Sequence, residues 1–188
     1  GPAAAECIVN KAKPKKAAAL HDKQSYGQGI AASVRDELKK ANVEVALFEG
    51  INAGDSDYSA VITKLKSAGA DFVYYGGYHP EMGLLLRQAA EQGLKVRMMG
   101  PEGVGNPEIN AIAGNAVEGM LVTLPADPAS KPENAALVKA FKDKGRDPSG
   151  AFQMGAYTAT QVLAQSIKAV GDDAEKVADY LHKTAFNM

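Results

Sequence analysis

Asp71-Phe72-Val73-Tyr74-Tyr75-Gly76-Gly77-Tyr78-His79-Pro80-Glu81 decides the fold of this chain. Phe72 to Tyr75 is a short run that is apolar on both sides, as an interior strand of a parallel sheet must be. Two glycines then let the backbone turn closely. Pro80 and Glu81 suit the first turn of a helix: proline needs no amide partner there, and the carboxylate meets the positive helix end. The helix predicted here runs to about Gln92, with Gly93 as its stop.

The same unit recurs on either side. Ala17-Ala18-Ala19-Leu20, Val43 to Phe48, Val96-Arg97-Met98-Met99 and Met120 to Thr123 are the other short apolar runs, and amphipathic stretches separate the first four runs. The alternation predicts an α/β fold: a three-layer, parallel, five-stranded sheet with helices on both faces. Ligands of such sheets bind beyond the carboxyl ends of the strands. The loops at those ends are expected to hold Tyr26, Glu49, Tyr78, His79 and Glu102.

The remaining elements follow from spacing. A helix over 3–12 is stopped by Pro14. Ile30, Val34 and Leu38 mark one face of a helix over about 28–41. Asp55, Ser56 and Asp57 offer capping oxygens to a helix with Val61, Ile62 and Leu65 inward. A short helix covers Pro107 to Ile112, and the fifth strand is expected over 118–124. Beyond it come a helix over 133–145, a break at Asp147-Pro148-Ser149-Gly150, and helices over 151–170 and 174–183. These last helices lack their own sheet, so their apolar faces have nothing of this chain's to cover them. The expected division is 1–126 as an α/β domain, 127–148 as linker and helix, and 149–188 as a helical segment.

Composition narrows the function. The chain has 188 residues, is 46% hydrophobic and carries a net charge of −1. Its lysines and arginines are scattered apart from a short run at Lys11 to Lys16, which argues against a nucleic-acid partner. Cys7 is the sole cysteine, and His21, His79 and His182 lie far apart. No zinc spacing results, and no metal or cofactor is expected. No stretch reaches the roughly 20 apolar residues of a membrane span. No signal peptide is read at the start, where Pro2 to Lys11 reads as helix.

Few residues offer chemistry. Gly27-x-Gly29-x-x-Ala32, followed by Glu49, has the parts of a dinucleotide fingerprint. Its first glycine stands about six polar residues beyond the strand, whereas a pyrophosphate site needs it immediately after. The competing reading is a pair of glycines easing the start of a helix around an exposed Tyr26. Glu102, between Pro101 and Gly103 at a strand end, can hold an ammonium through charge-assisted hydrogen bonds; otherwise it is a solvated loop carboxylate. Tyr78 and His79 serve either a site or a helix cap, and Phe152 either a ligand or core packing. No G-x-S-x-G elbow is present, and no catalytic residue is assigned.

Four segments carry a resemblance. His21-Asp22-Lys23-Gln24-Ser25-Tyr26-Gly27-Gln28-Gly29, the thirteen residues from Asp71 to Gly83, and Met99-Gly100-Pro101-Glu102-Gly103 resemble the leucine/isoleucine/valine-binding proteins of bacterial ABC importers. Asp147 to Phe152 is similar to that family as well. The resemblance runs across essentially the whole chain. It implies a periplasmic receptor of two lobes that closes on leucine, isoleucine or valine and delivers it to an ABC permease. Glu102 would pair with the ligand ammonium, Tyr26 and Tyr78 would line the cleft wall, and Phe152 would contact the aliphatic side chain.

The resemblance starts at the end of the first lobe, whose sheet and carboxylate-binding hydroxyls and amides are outside this sequence. Each hydrogen bond to a charged group is worth about 1.5–3 kcal/mol, so the isolated chain is expected to bind leucine in the millimolar range or not measurably. Residues 149–188 are expected to cover their apolar face in a homodimer or by a domain swap. Two other functions stand beside the receptor: a nucleotide-dependent oxidoreductase using the Gly27/Gly29 loop, and a sensing domain of a regulator with the same fold.

Overall fold

The computed structural model describes residues 1–148 and 152–186. The five apolar runs form β1 (Ala17–His21), β2 (Val45–Gly50), β3 (Phe72–Gly76), β4 (Arg97–Gly100) and β5 (Leu121–Val122). They make one sheet in the order β2-β1-β3-β4-β5, and every neighbouring pair is parallel. β3 is central and buried throughout. Leu20 of β1 stands opposite Tyr75 of β3, and His21 opposite Gly76. Asp71 fastens the other end of the pair by accepting the Lys15 and Lys16 amides at 2.9 and 3.0 Å.

Because side chains alternate along a strand, each run feeds two cores. On one face Leu20, Val73, Tyr75 and Met98 meet Ile62, Leu65, Met82 and Leu85, which come from α3 (Ser59–Ala68) and α4 (His79–Glu91). On the other, Ala17, Phe72, Tyr74 and Met99 meet Ile8, Val34 and Leu38, from the N-terminal helix and α2 (Ser25–Lys40). The N-terminal helix is α1 (Pro2–Cys7), prolonged by a wider turn over Ile8–Ala12. The Lys13 amide reaches back to Ile8 O at 2.8 Å there, and Lys13, at φ 48°, ends it just before Pro14.

Two expectations change. α2 starts at Ser25, three residues before the expected position, so Tyr26 and Gly27 belong to its first turn and not to a loop. Asp22 Oδ1 accepts the Gln24 amide at 2.9 Å and sets the chain on its helical course early. β5 has two residues where seven were expected. It is an edge strand, Gly119 at φ +83° spends the preceding residues on a turn, and Pro125 has no amide to extend the ladder.

The chain divides into two units, Gly1–Leu124 and Pro125–Met188. The second contains α6 (Ala135–Asp143), α7 (Gln153–Val170) and α8 (Ala174–Lys183), and no strand among the described residues. Phe141 meets Tyr157 edge to face at 5.5 Å, and α7 lies against α8. Leu163 and Ile167 of α7 remain exposed. Ser149 and Gly150 of the expected break, and Ala151 at the expected helix start, lie outside the described residues. In the first unit, α5 (Ile109–Ala113) is the short helix after β4.

Candidate functional site

The sheet's order reverses direction at β1 and β3: the chain moves from β1 outward to β2, then crosses back to β3 on the other side. Two successive connections therefore leave the sheet in opposite directions and open a crevice at the carboxyl ends. Tyr26, in the first turn after β1, and Tyr78, directly after the Gly76-Gly77 turn of β3, meet there. Their rings are 5.6 Å apart and inclined by 37°, within the range for favourable aromatic contact.

β4 delivers the third group to the same rim. Pro101 starts a single 3-10 turn over Glu102–Val104, and the Val104 amide closes it on Pro101 O at 3.0 Å. The adjoining Gly103 lies against the β3 exit: a Cβ on it would stand 2.8 Å from Gly77 O and 3.1 Å from the Tyr78 ring. Glu102 is thus held beside Tyr78 by the close approach of two loops.

The Tyr26 hydroxyl faces the Glu102 carboxylate and the Gly103 amide. It is buried and closes no hydrogen bond of ordinary length and angle among the described residues. Burial, with the Glu102 charge second, pushes its phenol up to about 12, so it carries its proton at neutral pH and keeps that donor beside Glu102. Tyr74 lies on the same face of the sheet, fully buried. Its hydroxyl also lacks a protein partner among the described residues, and burial, then the Tyr26 and Glu102 charges, hold its phenol well above the ordinary value. Beside the Glu102 carboxylate, the Tyr26 ring and half-exposed Tyr78 thus form an aromatic wall, with Tyr74 buried beneath it.

Two of the other nominated residues have charged partners of their own. Glu49 is inside β2 and pairs with Lys64 at 2.5 Å. His79 is the first residue of α4, and its Nε2 lies 3.3 Å from Glu108 Oε2. Phe152 belongs to the second unit, where it precedes α7 with 62% of its surface exposed.

The glycine pair does not make a phosphate loop. Gly27 is the third residue of α2, and a Cβ on it would collide with Asp22 Oδ1 and stand 2.5 Å from Gly76 O. Its role is to let the helix approach the ends of β1 and β3. A Cβ on Gly29 would meet nothing within 4 Å. Sequence reasoning notes Tyr74 only as one of three clustered tyrosines and assigns neither it nor Asp22 to the site, because one reads as a core strand residue and the other as a loop carboxylate. Strand alternation is the signal for Tyr74: it shares a face with Phe72 and the residues under α2.

Among the described residues no group of three or more His, Cys, Asp or Glu side chains is arranged to hold a metal ion. None of their helices is long and apolar enough to cross a membrane.

A model of the periplasmic binding protein family matches residues 1–188. The chain is 56% identical over 187 residues to a leucine-, isoleucine-, valine-, threonine- and alanine-binding protein of Pseudomonas aeruginosa, covering 99% of this chain and 50% of that protein. It is 50% identical over 181 residues to a Leu/Ile/Val-binding protein of Escherichia coli, covering 96% of this chain and 49% of the relative. The structure of a leucine binding protein from Thermotoga maritima superposes with a TM-score of 0.84 at 30% identity, over 97% of this chain and 53% of that one. The chain therefore spans about half the length of the curated relatives it matches. With the family model matching from the first residue to the last, the chain belongs to the periplasmic binding protein family.

Proposed function

We propose that this chain supplies one wall of an amino-acid-binding cleft in a receptor that serves an ABC permease from the periplasm, with leucine, isoleucine and valine as the ligand class. The observation that carries the reading is the convergence of Glu102, Tyr26 and Tyr78 on one rim of the sheet. Glu102 takes the α-ammonium through charge-assisted hydrogen bonds. The Tyr26 and Tyr78 rings shape the wall around it. The α-carboxylate is held by hydroxyls and amides of the first lobe, which this sequence does not contain. Relatives named for binding these amino acids support the ligand class.

The reading is one of binding and transport with no covalent step, and neither a cofactor nor a catalytic residue enters it. The oxidoreductase reading has lost its basis with the placement of Gly27 inside α2.

The test is an exchange: this chain replaces its counterpart in the P. aeruginosa relative, and calorimetry measures leucine, isoleucine, valine and NAD against the chimera. The reading predicts saturable binding of the three amino acids and none of NAD. A folded chimera indifferent to all three amino acids would refute it.

A further inference from the structure

At the exits of β1 and β3, two buried polar atoms have no partner among the described residues: Asp22 Oδ2 and the Tyr75 hydroxyl. Asp22 is 2% exposed and Tyr75 fully buried. The two belong to one place. The Asp22 amide donates to Gly76 O at 3.1 Å, and a Cβ on Gly77, the next residue, would collide with the Tyr75 hydroxyl oxygen. That hydroxyl faces the Tyr78 amide, with the Asp22 and Glu81 carboxylates and the Tyr58 phenol around it.

Neighbouring groups are already engaged. Asp22 Oδ1 accepts the Gln24 amide, Glu81 Oε1 accepts the Gly54 amide at 3.1 Å, and the Tyr58 hydroxyl donates to Asn52 O at 2.9 Å. An unpaired carboxylate oxygen and an unpaired phenol in a protein interior are costly. Buried polar groups in this situation are satisfied by an ordered water with two to four polar partners.

We propose that one buried water bridges Asp22 Oδ2 and the Tyr75 hydroxyl, and that this link makes Asp22 and Tyr75 positioning residues for the binding rim. Asp22 sits at the exit of β1, four residues before Tyr26. Tyr75 sits under the exit of β3, against the turn that carries Tyr78. The link joins the two exits from beneath, so that the Tyr26 and Tyr78 rings keep their mutual placement. Its purpose rests on the binding reading above, but its geometry is measurable without any ligand.

The experiment uses this chain with Asp22→Ala, Asp22→Asn and Tyr75→Phe substitutions. A high-resolution crystal structure of the unsubstituted chain should show a water within hydrogen-bonding distance of both oxygens. In solution, nuclear Overhauser cross-peaks between the Tyr26 and Tyr78 rings should vanish in Asp22→Ala and weaken in Tyr75→Phe. They should persist in Asp22→Asn, whose amide keeps the acceptor for Gln24 and one polar atom for the water. Tyr75→Phe removes a single oxygen from a packed ring and stays folded, so the test survives if Asp22→Ala does not. A dry site, cross-peaks of full intensity in folded Tyr75→Phe, or their disappearance in Asp22→Asn would each overturn the proposal. Failure of the chimera to bind amino acids, with the ring cross-peaks behaving as stated, would count against the binding reading alone.

Discussion

The rings of Tyr26 and Tyr78 lie 5.6 Å apart although they leave different strands and belong to different helical connections. Their meeting follows from the sheet order, since β1 and β3 are adjacent and the residues just past their ends must share one rim. Gly27 makes the approach close enough by keeping a side chain out of the space between α2, Asp22 and Gly76.

That account gives two alanine substitutions in one helix opposite signs. Gly29→Ala meets nothing and should stabilise the chain by about 0.5–1 kcal/mol, the ordinary gain of alanine over glycine in a helix. Gly27→Ala should instead lower the unfolding midpoint and move Tyr26 away from Tyr78. Thermal unfolding of both variants checks the pair; equal stabilisation would show that the approach is not tight.

Two phenols, Tyr26 of the rim and Tyr58 of the core, give an alkaline signature. Tyr26 and Tyr58 are both pushed up to about 12, by burial first and by nearby carboxylates second. A phenol whose proton is held more tightly in the folded state stabilises the fold below its unfolded value near 10, and that stability is lost as pH rises through the folded value. Unfolding in this chain should therefore steepen between about pH 10 and 12. Tyr26→Phe should remove tyrosinate absorbance from the late part of the titration and leave the early part intact.

His21 gives an acid signature of the other sign. Its Nδ1 accepts the Lys23 amide at 3.1 Å, at a residue whose φ of 62° is left-handed, and its ring lies 5.1 Å from Phe48. Burial holds its imidazole below the ordinary 6.5, with the Asp22 charge opposing and Lys23 assisting. A depressed value makes the fold lose stability as pH falls below 6.5 toward the folded value. His21→Asn keeps an acceptor for Lys23 without titrating, so the unfolding midpoint should depend less on pH between about 7.5 and 5.

Much of this architecture is legible in the residues themselves. β3 reads clearly because it is buried on both faces, which leaves no polar alternation to confuse it. Glu102 reads as a rim residue because Pro101 and Gly103 fix a turn at the end of β4. The length of β5 is not legible, since an apolar run cannot reveal that the ladder partner ends after two residues. The start of α2 is hidden because Ser25-Tyr26-Gly27-Gln28-Gly29 is a weak helix former by composition. Its helical course depends on the Asp22 side chain and on packing against two strand ends, neither of which a local pattern contains.

On the reading proposed above, which assigns the ligand carboxylate to the first lobe, leucine binding by the chain alone should be millimolar or undetectable by calorimetry. Each hydrogen bond to that carboxylate is worth about 1.5–3 kcal/mol and about 1.4 kcal/mol is tenfold in affinity. Micromolar binding by the isolated chain would contradict a cleft shared between two lobes.

The most direct measurement is a ligand-and-residue cycle in the P. aeruginosa chimera: leucine and its deaminated analogue 4-methylpentanoate, each titrated into the unsubstituted protein and into Glu102→Gln. If Glu102 reads the ammonium, the substitution weakens leucine by about 10- to 150-fold, the equivalent of one charge-assisted hydrogen bond, and leaves the analogue's weak binding nearly unchanged. Equal affinity of both proteins for leucine would contradict the assignment of this rim as the ammonium site.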